Sequence, residues 1–296
     1  MNTLIINELS TSPLAMVKNG TAEMEAVLKN AARPEAKRPE PSGKLAGDAD
    51  VCNMLNNSGY YAERVAVISI TGMMTKYARF NWDWDSLEWI VPGIDDVAAL
   101  IEYAMQNADI DGVVIVINTP GGTTQSLIRI EEVLKARTKP VVALVDGMCA
   151  SAGMYLASLC DRVIALNKMC SVGSIGVMVQ LIDDSQFYKK NGIKIIEVYP
   201  PESADKNKAY RDAIDGKMQT MIDEVLTPLA VNFQNVVRAH RPVNEEMEGV
   251  LSGKMFYAED GIKAGLIDEI GSFERAVDAI GSIHTERREI IEAMEE

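Results

Sequence analysis

Histidine is scarce in this sequence. Two occur in 296 residues, His240 and His284, and none falls between residues 152 and 239. A Ser-His-Asp arrangement needs an imidazole within reach of its nucleophile. Both histidines read instead as surface residues: His240 follows the apolar stripe of a long helix, and His284 sits in a polar tail. Cysteine is little commoner. Cys52, Cys149, Cys160 and Cys170 contain no CxxC pair, which argues against a disulfide scaffold or a zinc site and fits reduced thiols. Basic residues are outnumbered, 29 Lys and Arg against 43 Asp and Glu, for a net charge of −14. Such a surface repels phosphate, and no local basic patch offsets it, so nucleic-acid binding is disfavoured. No apolar run approaches the roughly 18 to 20 residues that span a bilayer. The first twenty residues lack the basic start and unbroken apolar stretch of a secretory signal. The expectation is a cytoplasmic protein with no membrane span and no cofactor.

What is present is ordinary globular composition, 47% hydrophobic and 24% charged, at a length that suits one large α/β domain or two small ones. Residues 1–60 differ from the rest. Residues 19–32 suit a short helix with Met24, Val27 and Leu28 on one face. Residues 32–50 (ARPEAKRPEPSGKLAGDAD) are rich in Pro, Gly and charge and read as linker. The expected organisation is a flexible N-terminal arm (1–60), one domain (61–282) and an acidic, solvated C-terminal tail (283–296). The arm is expected to be dispensable for the domain's own chemistry and to serve targeting or assembly. All three tryptophans, Trp82, Trp84 and Trp89, fall in residues 77–92. They suit packing under a loop, with a lid or an oligomer contact as the alternatives.

From residue 64 the pattern turns regular. Residues 65–70, 112–118 (GVVIVIN), 140–145, 162–166 and 193–198 read as buried strands. Residues 94–107 and 123–137, and a stretch from about 150, read as helices between them. This alternation predicts an α/β fold with a mainly parallel sheet and right-handed crossovers. A long amphipathic helix is expected over 216–240, interrupted by Pro228.

Three short segments stand at or soon after strand ends, where open α/β sheets place their ligand sites. Asn118-Thr119-Pro120-Gly121-Gly122 has two glycines that can bring backbone N–H groups close to a developing negative charge, or simply make a tight turn. Ser151 lies in Asp146-Gly147-Met148-Cys149-Ala150-Ser151-Ala152-Gly153, flanked by small residues at a strand-to-helix turn. That suits an exposed nucleophile or a helix N-cap. Cys149 beside it reads as a small buried residue. Gly173-Ser174-Ile175-Gly176 carries one hydroxyl among glycines. With no histidine in reach, the alternative base for a serine is a desolvated lysine. Lys206 and Lys208 are the candidates, although so polar a loop equally suits solvated lysines.

These segments, in this order, resemble the signal peptide peptidase A (protease IV) family and its phage head-maturation relatives, Ser-Lys proteases of the ClpP/crotonase fold. The resemblance runs from about residue 64 to 280. VAVISITG (65–72) is similar to the family's opening strand, and NTPGG to its oxyanion segment. ASAGMYLAS (150–158) is similar to the nucleophile motif, with Ala152 in place of the first glycine and Met154 in place of a tyrosine. SVGSIGVM (171–178) and YAEDGIKAGLIDEIG (257–271) are similar to the remaining signatures. The resemblance implies repeated ββα units, Ser151 as nucleophile, and the Gly122 and Ala152 amides as oxyanion hole. It also implies that Ser174 orients the base lysine, Lys206 in preference to Lys208. The family's proline near that lysine is missing. The expected activity is a serine endopeptidase acting on polypeptides, with a ring or other homo-oligomer as the working form and capsid or scaffold proteins as substrates. A crotonase-type acyl-CoA enzyme and a non-catalytic shell component are the competing readings.

Overall fold

The computed structural model describes residues 14–16, 64–81 and 89–295. Its strands, in chain order, are β1 Leu14–Met16, β2 Val65–Thr71, β3 Arg79–Asn81, β4 Trp89–Val91, β5 Gly112–Thr119, β6 Gly121–Thr123, β7 Val141–Ala150, β8 Arg162–Ala165, β9 Ser171–Gly173, β10 Met255–Tyr257 and β11 Glu269–Ile270. The helices used below are α1 Ile94–Gln106, α2 Leu127–Lys135, α3 Ala152–Ser158, α4 Ser185–Lys190, α5 Lys208–Ile214, α6 Thr227–His240, α7 Ala258–Lys263 and α8 Phe273–Glu295.

The main sheet runs β10-β9-β7-β5-β2, with β8 and then β11 branching from β7. The pairs β2–β5, β5–β7, β7–β8 and β7–β9 are parallel, and β10 alone among these strands runs antiparallel. Residues alternate between the two faces, so each face of a central strand needs its own cover. On β5 and β7, Val113, Ile115, Ile117, Val141, Ala143 and Val145 join a core with α1, α2, α3 and α6. Val114, Val142 and Leu144 point the other way, onto Ala276, Ala279, Ile280 and Ile283 of α8. This two-sided burial explains why 112–118 is apolar at nearly every position.

β7 is the element that builds the site. Its first half pairs with β8, and its second half pairs with β9 through Met148, Cys149 and Ala150. The change of neighbour occurs around Gly147, whose φ of +111° few other residues adopt. The β5–β7 register also shifts between Ile117 and Thr119. The strand thus carries residues 148–150 away from the flat sheet and presents Ser151 at its tip.

Three expectations need correction. Residues 193–198 form no strand. Ile193, Ile195, Ile196 and Val198 are exposed, Val198 at 85%. A strand apolar on both faces needs neighbours on every side, and the described residues supply none. The acidic tail expected at 283–296 continues α8, where Ile283 is buried and Arg287 bonds Asp161. Within the N-terminal arm, residues 14–16 pair with β6 instead of lying free. The helix expected at 19–32, the linker at 32–50, Trp82 and Trp84 lie outside the described residues.

The long helix expected over 216–240 is three successive helical stretches, Gln219–Met221, a π-helical Ile222–Leu226, and α6. Pro228 stands at the start of α6 and cannot donate to the preceding turn, which accounts for the local widening. His240 ends α6 exposed, close to Lys135, Arg137 and Glu131.

Candidate active site

Ser151 sits between β7 and α3 with φ +53° and ψ −117°. A serine at positive φ is uncommon, and the strain must be held by its surroundings. Its N–H donates to the Gly173 carbonyl at 2.8 Å, and its carbonyl accepts from Tyr155 N–H at 2.9 Å. Its Oγ donates to the Gly176 carbonyl at 3.3 Å, and its side chain makes no helix cap. The residue is 1% exposed. The positive φ turns the hydroxyl away from the helix it precedes, so the N-cap alternative is set aside. Small neighbours make the turn possible: a Cβ on Gly153 would stand 2.4 Å from Thr119 Cγ2. Ala152, in place of the family's glycine, is accommodated fully buried.

The glycine segment is braced on its inner side. Thr119 Oγ1 donates to the Gly72 carbonyl at 2.6 Å and accepts from Gly121 N–H at 3.1 Å. Met74 N–H donates to the Gly121 carbonyl at 2.8 Å, and Thr123 N–H donates to the Met74 carbonyl at 3.0 Å. Backbone groups alternate along a strand. With Gly121 and Thr123 bonded inward, the Gly122 N–H faces the opposite edge of β6. A Cβ at Gly122 would stand 1.8 Å from the Met74 carbonyl oxygen, so only glycine fits. The Ala152 N–H opens α3, where the first amides have no partner inside the helix. Both amides assigned to an oxyanion hole are therefore backbone groups held in place before any substrate arrives.

The third segment closes the site from β9. Gly173 has φ +121° and Ser174 φ +55°. Ser174 N–H donates to the Lys254 carbonyl at 2.9 Å, and a Cβ on Gly173 would meet that same oxygen at 2.4 Å. This places Ser174, two residues before Gly176, on the loop that receives the Ser151 hydroxyl. Cys149 is fully buried, and desolvation drives its thiol pKa far up, so it is no competing nucleophile.

The lysines lie differently. Lys206 and Lys208 are exposed, and among the described residues neither has a hydrogen bond or ion pair to Ser151. Lys206 N–H closes a turn on the Ser203 carbonyl at 3.0 Å, and Lys208 Nζ pairs with Asp205 at 3.5 Å. The loop between α4 and α5 that bears them is continuous with the exposed apolar stretch 193–198. The sequence did not reveal two features of the site. One is the Gly176 carbonyl as partner of Ser151. The other is the Met74 brace behind Gly122. Both are backbone contacts that no residue type announces. No group of three or more His, Cys, Asp or Glu among the described residues could hold a metal ion.

Beside these segments lies an apolar cleft of about 200 Å³. Thr124 and Leu127 of its lining follow β6, Tyr155 is one turn beyond Ser151, and Val177 adjoins Gly176. Leu229 and Phe233 of α6 close it. The cleft is thus lined by residues that flank all three site segments.

A strained serine at a strand-to-helix turn on a mainly parallel α/β sheet fits a Clp protease-like architecture. A model described as Clp protease matches residues 94–168, and one described as Peptidase family S49 matches residues 133–284, just over half of the chain. The chain belongs to peptidase family S49. It is 31% identical over 186 residues to a Methanocaldococcus jannaschii protein that carries a protease name, covering 60% of this chain and 58% of that protein. It is 26% identical over 230 residues to Protease 4 of Haemophilus influenzae, 76% of this chain and 36% of that one. It is 24% identical over 209 residues to Capsid assembly protease C of Escherichia phage lambda, 70% and 46% respectively. The chain thus spans between 36% and 58% of the length of these relatives. No described helix is long and apolar enough to cross a membrane.

Proposed function

We propose that the chain is a serine endopeptidase in which Ser151 is the nucleophile and Lys206 the general base. The observation that carries this reading is the backbone of Ser151, a strained conformation held by Gly173, Gly176 and Tyr155. Strain of this kind persists where an oxygen must be aimed at a ligand. The Ser151 Oγ attacks a substrate carbonyl carbon and its proton passes to the lysine. The developing oxyanion accepts from Gly122 and Ala152 N–H. The leaving amine takes the proton back, and water then hydrolyses the Ser151 ester with the same base assisting.

Among the described residues Lys206 is left exposed, and in this reading the base completes the site in an assembly. Packing of residues 182–208 against a second copy would bury Ile182, Ile193, Ile195, Ile196 and Val198 and take Lys206 out of water together with them. Ser174 then lies on the loop that can orient its ammonium. The substrates are polypeptides entering as extended strands along β6, with an apolar side chain in the cleft lined by Leu127, Leu229 and Phe233. Similarity to a capsid assembly protease favours capsid or scaffold proteins as the physiological class. A fluorophosphonate probe tests the nucleophile directly. Wild type should be labelled at Ser151 and Ser151→Ala should not. Labelling that survives Ser151→Ala, or that requires His240, overturns the assignment.

A further inference from the structure

β6 has two edges, and neither is free. Met74 occupies the inner one through its bonds to Gly121 and Thr123. The outer one is taken by β1, antiparallel, with Leu14 opposite Thr123, Ala15 opposite Gly122 and Met16 opposite Gly121. A peptide that binds by adding a strand needs an open edge. The outer edge of β6 is where the Gly122 N–H points, and this chain has laid its own residues 14–16 there.

The register says more. In an antiparallel pair, opposite residues whose N–H and C=O face each other exchange both bonds. Gly122 faces outward, so the carbonyl under its amide is that of Ala15. That amide is the one assigned to the oxyanion hole. β1 also runs in the productive direction. It heads from the Thr123 end of β6 to the Gly121 end, which leads back to Thr119. Thr119 pairs with Cys149, two residues before Ser151. The residues following Ala15 therefore run toward the nucleophile's end of the site.

We propose that β1 is the chain's own substrate strand and that Ala15–Met16 is a self-processing site. The inference rests on Ser151 being the nucleophile. Ser151 Oγ bonds to the Ala15 carbonyl carbon while its proton passes to the base. The Ala15–Met16 C–N bond breaks, and the Met16 amine leaves with that proton. Water then cleaves the Ser151 ester, releasing residues 1–15 with a carboxylate at Ala15 and restoring the Ser151 hydroxyl. Until that cut, the tethered strand competes with every incoming peptide at high effective concentration. The arm is thus a cap on the site as well as its first substrate.

Intact-mass analysis of the full chain tests this, alongside fluorophosphonate labelling and amide exchange. Wild type should lose residues 1–15 and gain Met16 as its N-terminus, while Ser151→Ala stays intact. Ala15→Pro removes an N–H from the pair. It should block trimming and leave Ser151 labelled at least as fast as in wild type. In the Ser151→Ala background, Ala15→Pro should speed exchange of the Gly122 amide about tenfold or more. A chain labelled at Ser151 but uncut, or cut elsewhere, overturns the self-processing site and leaves the nucleophile standing. Unchanged Gly122 exchange overturns the strand itself, whatever the catalytic outcome. Loss of labelling in every variant, with Gly122 exchange still sensitive to Ala15→Pro, points to failure of the nucleophile assignment and removes the cleavage step with it.

Discussion

The two halves of the proposed site are built by different physics. The nucleophile half hangs on β5, β7 and α3, where every residue of Ala152–Ser158 is buried and each backbone bend is fixed by a named hydrogen bond. The lysine half lies on residues 182–208, where almost nothing is buried and Ile196 is 71% exposed. A core residue is held by the many contacts around it, whereas a loop residue is held only if something covers the loop. The described residues therefore hold Ser151 and the Gly122 and Ala152 amides in place, and they leave Lys206 exposed. If Lys206 is the base, a site split in this way works only where a second copy covers the loop.

The sharpest way to break this comparison is to remove one reacting group from each half. Ser151→Ala and Lys206→Ala should each lower peptide hydrolysis by about 10⁴-fold or more, since groups acting as a unit cost nearly the same alone as together. Lys208→Ala should cost only a fewfold. Single-turnover rates on a fluorogenic peptide, with circular dichroism to check folding, decide it. If Lys208→Ala were the inactivating change, the base would be misassigned by two residues. Next in size is Gly122→Ala. Its Cβ would stand 1.8 Å from the Met74 carbonyl oxygen, so β6 must move and carry the amide with it. Losing one oxyanion donor costs on the order of 10²- to 10³-fold in kcat. The KM for the same peptide should change much less. Equal losses in both would mean that Gly122 serves binding and not the transition state.

The exposed half is tested by polarity. Ile196→Asp with Val198→Asp places two charges on a face that no described residue covers. If a second copy covers that face, light scattering should show dissociation to monomers, and activity should fall about tenfold or more by loss of assembled sites. The melting temperature of the monomer should hardly move. An assembly that persists with both aspartates in place would show that subunits meet elsewhere.

The same contrast governs how much could be read from sequence. β5, β7 and their helices were legible because burial on both faces forces continuous apolar runs bounded by glycine and charge. The segments around Ser151 and Ser174 stood out because turns at positive φ restrict residue type, and Gly122 because the Met74 carbonyl leaves no room for a Cβ. The stretch 193–198 misled for the opposite reason: its composition is that of a covered strand, and nothing among the described residues covers it. The pairing of β1 with β6 had no signal at all, because backbone pairing over more than one hundred residues leaves no mark on three side chains. Lys206 was reached through family resemblance, and neither its polar surroundings nor its exposure singles it out.

The smallest expected effect concerns stability and belongs to the buried half alone. Asp161 stands where α2, β7 and α8 meet. Arg137 donates to it twice, at 3.0 and 2.8 Å, Val141 N–H donates at 2.8 Å, and Arg287 of α8 bonds it as well. Burial opposes ionisation of this carboxyl, but the Arg137 bonds, the Val141 amide and the charge of Arg287 outweigh it and hold the pKa below the usual aspartate value. A folded-state pKa below the unfolded one means that the charged form stabilises the fold. That contribution is whole above the unfolded value of about 4, and it is lost as the pH falls through the lower folded value. Asp161→Asn keeps the shape and some hydrogen bonds but leaves two guanidinium groups without their counter-charge. It should cost about 2 to 3 kcal/mol near neutral pH. For a domain of this size that lowers the melting temperature by roughly 5 to 10 °C. Labelling of Ser151 at 25 °C should be unchanged, because Asp161 touches none of the three site segments. The gap between wild type and Asp161→Asn should close as the pH is taken below about 4. A gap that stayed constant in denaturant titrations from neutral pH to pH 3 would mean that Asp161 acts through packing and not through its charge.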